Sequence, residues 1–160
     1  VAVASGGVWK TVNAGTTFEP IFDAEGSYSI GCVTIDPNNS LVVWVGTGEN
    51  NSQRSVSYGD GVYKSVDGGK TFTSIVGNIP AGPVNVIRED PKDPNTLYVG
   101  TEFGAFISKD GGQKWEVLGS GLPSTQVSDL IYHPRDNIIV ISTYGHGVWA
   151  LNAARLTASR

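Results

Sequence analysis

The stretch from Val62 to Phe72, VYKSVDGGKTF, decides the fold because the chain repeats it. It recurs as VWKTVNAGTTF from Val8 to Phe18 and as AFISKDGGQKW from Ala105 to Trp115. A shortened copy, Gly147-Val148-Trp149, comes last. The aromatic residues Trp9, Tyr63, Phe106 and Trp149 lie 54, 43 and 43 residues apart, so the period is 43 with 11 extra residues in the first interval. A second element keeps step: Cys32-Val33-Thr34-Ile35-Asp36-Pro37 matches Val86-Ile87-Arg88-Glu89-Asp90-Pro91 and Leu130-Ile131-Tyr132-His133-Pro134. A third follows each of these: Val45-Gly46-Thr47, Val99-Gly100-Thr101 and Ile141-Ser142-Thr143. Three elements in one register across the chain define a repeat architecture.

Each period reads as four short strands, A to D, rich in β-branched and aromatic residues and bounded by Gly, Pro, Asn and Asp. Strand A is Val33 to Ile35, B runs around Trp44, C is Gly61 to Lys64, and D starts near Thr71-Phe72. Strand B is apolar on both sides of its pleat, so both faces of each sheet should be covered. Four-stranded antiparallel sheets stacked face to face at this period predict an all-β β-propeller. The count is about 14 strands, or three and a half to four blades, over residues 1–152, with a tail at 153–160.

Composition agrees and excludes much. Glycine is 21 of 160 residues without a three-residue period, and charged residues are only 16%, as many tight turns between short strands require. A net charge of −4 with 11 basic residues argues against nucleic-acid binding. No apolar run reaches the roughly 20 residues needed to span a bilayer, and no signal peptide is visible. With no methionine, the chain is expected to be a processed or excised piece, or a shortened or engineered piece of a longer propeller. The single cysteine, Cys32, reads as a small buried apolar side chain.

The pattern Ser/Thr-x-Asp/Asn-x-Gly-x-x-aromatic at Thr11–Phe18, Ser65–Phe72 and Ser108–Trp115 resembles the Asp-box of BNR-repeat propellers. That group includes sialidases, xyloglucan-hydrolysing glycosidases and sortilin-type receptors. Ala4–Lys10 and Gly46–Asn51 look most like the bacterial sortilin-like, glycosyl hydrolase-like branch. The resemblance implies architecture more than activity, since enzymes and binding proteins share it. It also implies a secreted or periplasmic location. Two departures are Asn13 for Asp and Ala14 for Gly in the first box.

The boxes also have a reading from chemistry alone. Asn13, Asp67 and Asp110 fall at the C–D turns, where a carboxylate or amide accepts backbone N–H groups. Gly15, Gly69 and Gly112 supply positive φ, and Phe18, Phe72 and Trp115 are expected to pack under a neighbouring strand. These residues are structural. Function is expected on the opposite face, formed by B–C and D–A connections, because long loops on a rigid scaffold carry binding. The extra residues fall there, between Thr47 and Gly61. The candidate ligand-binding residues are Glu49, Asn50, Arg54, Tyr58, Glu102, Phe103, Tyr144 and His146, with Tyr28, Asn78–Pro80 and Leu122-Pro123 beside them.

A glycosidase needs two carboxylates about 5–10 Å apart; Glu49 and Glu102, in equivalent places of adjacent repeats, are the candidates, with Asp60 nearby. No metal or phosphate signature occurs and no cofactor is expected. His133 reads as a turn residue in the place of Asp36 and Asp90. The favoured expectation is a non-catalytic scaffold or binding module for protein or carbohydrate; the alternative is a glycoside hydrolase. An open stack leaves apolar faces bare, so a homodimer closing a seven- or eight-bladed ring is expected, with a compact four-bladed ring as an alternative.

Overall fold

The structure, a computed structural model, describes residues 1–49 and 57–156. It holds fourteen strands and one short helix among those residues. The first sheet is β1 (Ala2–Val3), β2 (Gly7–Lys10) and β3 (Glu19–Pro20). The second is β4 (Ile30–Ile35), β5 (Val43–Thr47), β6 (Val62–Ser65) and β7 (Thr73–Ser74). The third is β8 (Val84–Asp90), β9 (Asp93–Thr101), β10 (Gly104–Ser108) and β11 (Glu116–Val117). The fourth is β12 (Val127–His133), β13 (Ile138–Thr143) and β14 (Gly147–Asn152). Every sheet is an antiparallel meander. A 3₁₀ turn, Ala153–Arg155, follows, capped by the Asn152 side chain, which accepts from Ala154 N at 2.9 Å.

The sheets stack because their strands alternate. In the second sheet Val43, Val45 and Tyr63 face back onto Val8 and Phe22, while Trp44 and Val62 face forward onto Val84, Ile87, Leu97 and Val99. In the third, Tyr98, Ala105 and Ile107 face forward onto Leu130, Ile139 and Ile141. The substantial contacts between sheets join neighbours in chain order: β1 with β4, β4 and β5 with β8, β8 and β9 with β12. The described chain is therefore an open arc of four sheets, and the compact four-bladed ring is not what forms.

Close approach fixes the spacing. A Cβ on Gly100 would lie 2.4 Å from Val127 Cγ1, and one on Gly46 would lie 2.6 Å from Cys32 Sγ and 2.9 Å from Val84 Cγ1. The first strands of the second, third and fourth sheets, β4, β8 and β12, carry a β-bulge at the same place, with Gly31, Asn85 and Ser128 as the extra residues. The bulge residues meet the next sheet: a Cβ on Gly31 would be 2.4 Å from Val84 O, and Asn85 Nδ2 donates to Val127 O at 3.0 Å. Cross-links follow the same path, with Thr34 Oγ1 donating to Ile87 O and Arg88 pairing with Asp129 at 3.1 Å.

The C–D turns explain why strand D begins later than the sequence suggests. Asp67 Oδ1 accepts from Ser65 Oγ, Lys70 N and Thr71 N, and its Oδ2 accepts from Thr71 Oγ1. Ser65 Oγ accepts from Gly69 N at 2.8 Å. Asp110 and Ser108 repeat this with Gln113 N, Lys114 N and Gly112 N. Asn13 and Thr11 do so with Thr17 N and Gly15 N. The turn thus consumes residues through Thr71, leaving Thr73–Ser74 to pair. Gly68 and Gly111 sit at φ +75° and +73°; Ala14 holds the same conformation at +56° despite its Cβ. The closing aromatics pack on the preceding sheet: Trp115 Nε1 donates to Ile75 O, and Phe72 meets Phe22 edge-on. Phe18 is 44% exposed, contrary to expectation, because no described sheet precedes the first.

Candidate functional site

The B–C turns and D–A connections gather on one side of the arc, and a threonine at the end of each B strand shapes that side. Thr101 and Thr143 Oγ1 donate to Gly104 O and Gly147 O across their turns, and the one Thr47 hydroxyl proton is shared between Gly61 O and Asp60 Oδ1. Thr47 Oγ1 also accepts from Asp60 N and Gly61 N, both at 2.9 Å. The repeat of Val-Gly-Thr carried this signal, but its role as a turn clamp is not readable without the hydrogen bonds.

Glu49 follows β5 and is half-buried. Its N donates to Ser57 O, and Ser57 N donates to its Oε2, each at 3.4 Å. The pair draws together the two ends of the inserted loop. Asn50 and Arg54 lie outside the described residues. Glu102, also half-buried, has its N donating to Pro83 O. Phe103 lies against Gly82, where a Cβ would come within 2.8 Å of its ring. Tyr144 O accepts from Thr125 Oγ1, and His146 O accepts from Trp149 Nε1. The backbone of each turn is thereby held, with Phe103 and Tyr144 exposed and the Glu49 carboxylate engaged by Ser57 N. Tyr28, Tyr58, Phe103 and Tyr144 are all exposed, between 47% and 76%. The face thus carries one outward aromatic ring at the first D–A connection and one at each of three B–C turns.

Four residues expected on this face, Asp60, Asn78, Ile79 and Leu122, belong to the scaffold instead. Asp60 Oδ1 accepts from Thr47 Oγ1 at 2.8 Å and its Oδ2 from Tyr63 OH at 2.6 Å, so both oxygens brace the turn. Burial first, then the Asp60 hydrogen bond, raises the Tyr63 phenol above its ordinary range. Asn78 clamps neighbouring sheets, accepting from Trp115 N at 2.7 Å and donating to Trp115 O at 2.9 Å, and Ile79 is core. Leu122 packs against the cluster between the third and fourth sheets.

A cavity of about 280 Å³ adjoins Tyr28, lined by Gly6, Trp9, Asp23, Glu25 and Ser27 among others. Aromatic surface beside carboxylates suits a neutral polyhydroxylated ligand: rings cover apolar C–H faces and carboxylates accept hydroxyl protons. Larger grooves, of about 580 and 570 Å³, lie elsewhere, beside the C–D turn of the second sheet and beside the A–B turns of the third and fourth. In the latter, Lys92 Nζ donates to Asn137 Oδ1 and Lys109 Nζ to Leu156 O, so its polar groups largely answer one another. Among the described residues no three His, Cys, Asp or Glu side chains gather as a metal site requires. His133 Nδ1 lies 3.3 Å from Asp136 Oδ2 across the A–B turn and makes no hydrogen bond.

Comparison with known proteins places this geometry. The chain is 28% identical over 122 residues to the xyloglucanase of Hypocrea jecorina (strain QM6a), covering 74% of this chain and 13% of that protein. Among solved structures it resembles an ancestral GH74 enzyme, with a TM-score of 0.68 at 18% identity over 95% of this chain and 21% of that one. It also resembles the GH74 enzyme of Niastella koreensis, with a TM-score of 0.59 at 20% identity over 77% and 20% of the two chains. The GH74 xyloglucanase of Xanthomonas campestris gives a TM-score of 0.55 at 11% identity over 96% and 34%. No protein-family model matches. The chain thus has the fold of a β-propeller segment, spanning 13% of the curated relative and 20–34% of these solved structures.

Proposed function

We propose that this chain is a carbohydrate-binding β-propeller segment that holds a neutral glycan on its B–C and D–A face without hydrolysing it. The observation that carries the reading is the set of four outward aromatic rings, Tyr28, Tyr58, Phe103 and Tyr144, on one rigid face. The likeness to a xyloglucanase suggests the ligand class, a β-glucan backbone with sugar branches. The carboxylate- and amide-centred turns are read as Asp-boxes of BNR type with a purely structural role. A secreted or periplasmic location fits a glycan ligand, and no described helix is long and apolar enough to cross a membrane.

Affinity electrophoresis in xyloglucan gels tests this. The chain should be retarded, and Phe103→Ala or Tyr58→Ala should weaken binding about tenfold, equivalent to about 1.4 kcal/mol. Unretarded migration, or retardation indifferent to both variants, contradicts it. The second reading, a glycoside hydrolase, is favoured by the named activity of the relatives and by Glu49 and Glu102 in equivalent turns of adjacent sheets. It requires reducing-sugar release from xyloglucan that Glu49→Gln or Glu102→Gln abolishes with the fold intact.

A further inference from the structure

The ring-bearing residues of the B–C turns are tied through their own carbonyls to the D–A connections. Those connections are equal in length: Phe18 to Ile30, Phe72 to Val84 and Trp115 to Val127 are each 12 residues apart. In that register Ser27, Ala81 and Ser124 share one place, and Tyr28, Gly82 and Thr125 share the next. Ser27 Oγ donates to Tyr58 O at 2.9 Å, with Ser29 O the more distant acceptor at 3.3 Å. Ser124 Oγ donates to Phe103 O at 3.2 Å, and Thr125 Oγ1 to Tyr144 O at 3.1 Å. The second connection has no hydroxyl at either place, and there the Phe103 ring itself covers Gly82. Loop serines and threonines commonly bond their own turn. These three instead reach residues 31, 21 and 19 positions away.

We propose that Ser27, Ser124 and Thr125 are positioning residues for ligand binding, whose hydroxyls hold Tyr58, Phe103 and Tyr144 in place before the ligand arrives. The proposal rests on the glycan reading above. An aromatic side chain of this kind has only two torsions, so fixing the backbone that bears it fixes most of its placement. The three rings are 47–76% exposed, so packing around them does little of that work. The backbone does it instead. Phe103 N donates to Thr101 Oγ1 at 3.0 Å while its O accepts from Ser124. Tyr144 N donates to Gln126 O at 2.9 Å while its O accepts from Thr125. Beside Tyr58, Gly59 sits so close to the B strand that a Cβ would lie 2.6 Å from Thr47 O. Ordering completed in the free chain does not weaken the binding step, and that is how these hydroxyls raise affinity without touching the glycan.

Calorimetric titration with a soluble xyloglucan oligosaccharide tests this. Ser27→Ala and Ser124→Ala should each weaken binding about three- to tenfold, with an unchanged far-ultraviolet circular dichroism spectrum. Each loss should vanish where the ring is already gone. Ser124→Ala should change nothing further in a Phe103→Ala chain, nor Ser27→Ala in a Tyr58→Ala chain. A hydroxyl that only supports the fold would lower affinity equally in both backgrounds. Losses that add, or single variants that bind as tightly as the unaltered chain, overturn the proposal. Ser124 is exposed, so its pair decides the matter should Ser27→Ala fail to fold. An unaltered chain that does not bind overturns the glycan reading and this proposal together, a result distinct from binding that ignores the hydroxyls.

Discussion

Asp67 shows how much one side chain in a repeat can hold: its two oxygens receive four hydrogen bonds from Ser65, Lys70 and Thr71. Those bonds favour the ionised form, led by the Thr71 hydroxyl, and hold the carboxyl well below its ordinary 3.8. Asp110 is lowered for the same reason, led by Lys114 N. A depressed folded-state pKa stabilises fully above the unfolded value and is lost as pH falls through the folded one. Melting temperature should therefore drop as pH falls below about 4, and the double variant Asp67→Asn/Asp110→Asn should show a smaller drop between neutral and acid pH. Ser65→Ala strands the buried Gly69 N–H and should cost about 1–3 kcal/mol in urea unfolding. Cys32 lies with Sγ 3.6 Å from Val84 O, and burial pushes its thiol up to about 12. It should resist disulfide reagents in the native chain and react once the chain is unfolded. At this scale the turn residues were legible because spacing alone gathers them. Thr47 and Asn78 were not, since their partners depend on how one connection lies against another.

At the scale of elements, the sheet interfaces rest on bare glycines. Gly100→Ala would force a Cβ to within 2.4 Å of Val127 and 2.7 Å of Val86. Overpacking of this kind costs about 1–3 kcal/mol, so the variant should unfold at lower urea concentration with an unchanged slope. The four-strand repeat was legible from alternation and turn residues. The bulges at Gly31, Asn85 and Ser128 were not, although these residues keep the repeat spacing. A bulge alters pairing by one residue and leaves the apolar pattern beyond it intact. The short D strands were placed two residues early because the turn's hydrogen bonds, not strand propensity, decide where pairing resumes.

At the scale of the whole molecule, the sequence told which side carries the connections, because a meander must send alternate turns to opposite sides. It did not tell which side chains there stay outward. Tyr58, Phe103 and Tyr144 stay free because the backbone of each turn is secured by the B-strand threonine and by neighbours such as Ser57, Ser124 and Thr125. Asp60, chemically just as plausible a ligand, is consumed by Thr47 and Tyr63. The proposed role of this face is to bind a glycan. Amide chemical-shift mapping with a soluble xyloglucan oligosaccharide tests it most directly. Shifts should concentrate at residues 28, 57–61, 102–104 and 144–147. Shifts confined to the C–D turns at 65–72 and 108–115, or none at saturating ligand, would contradict it.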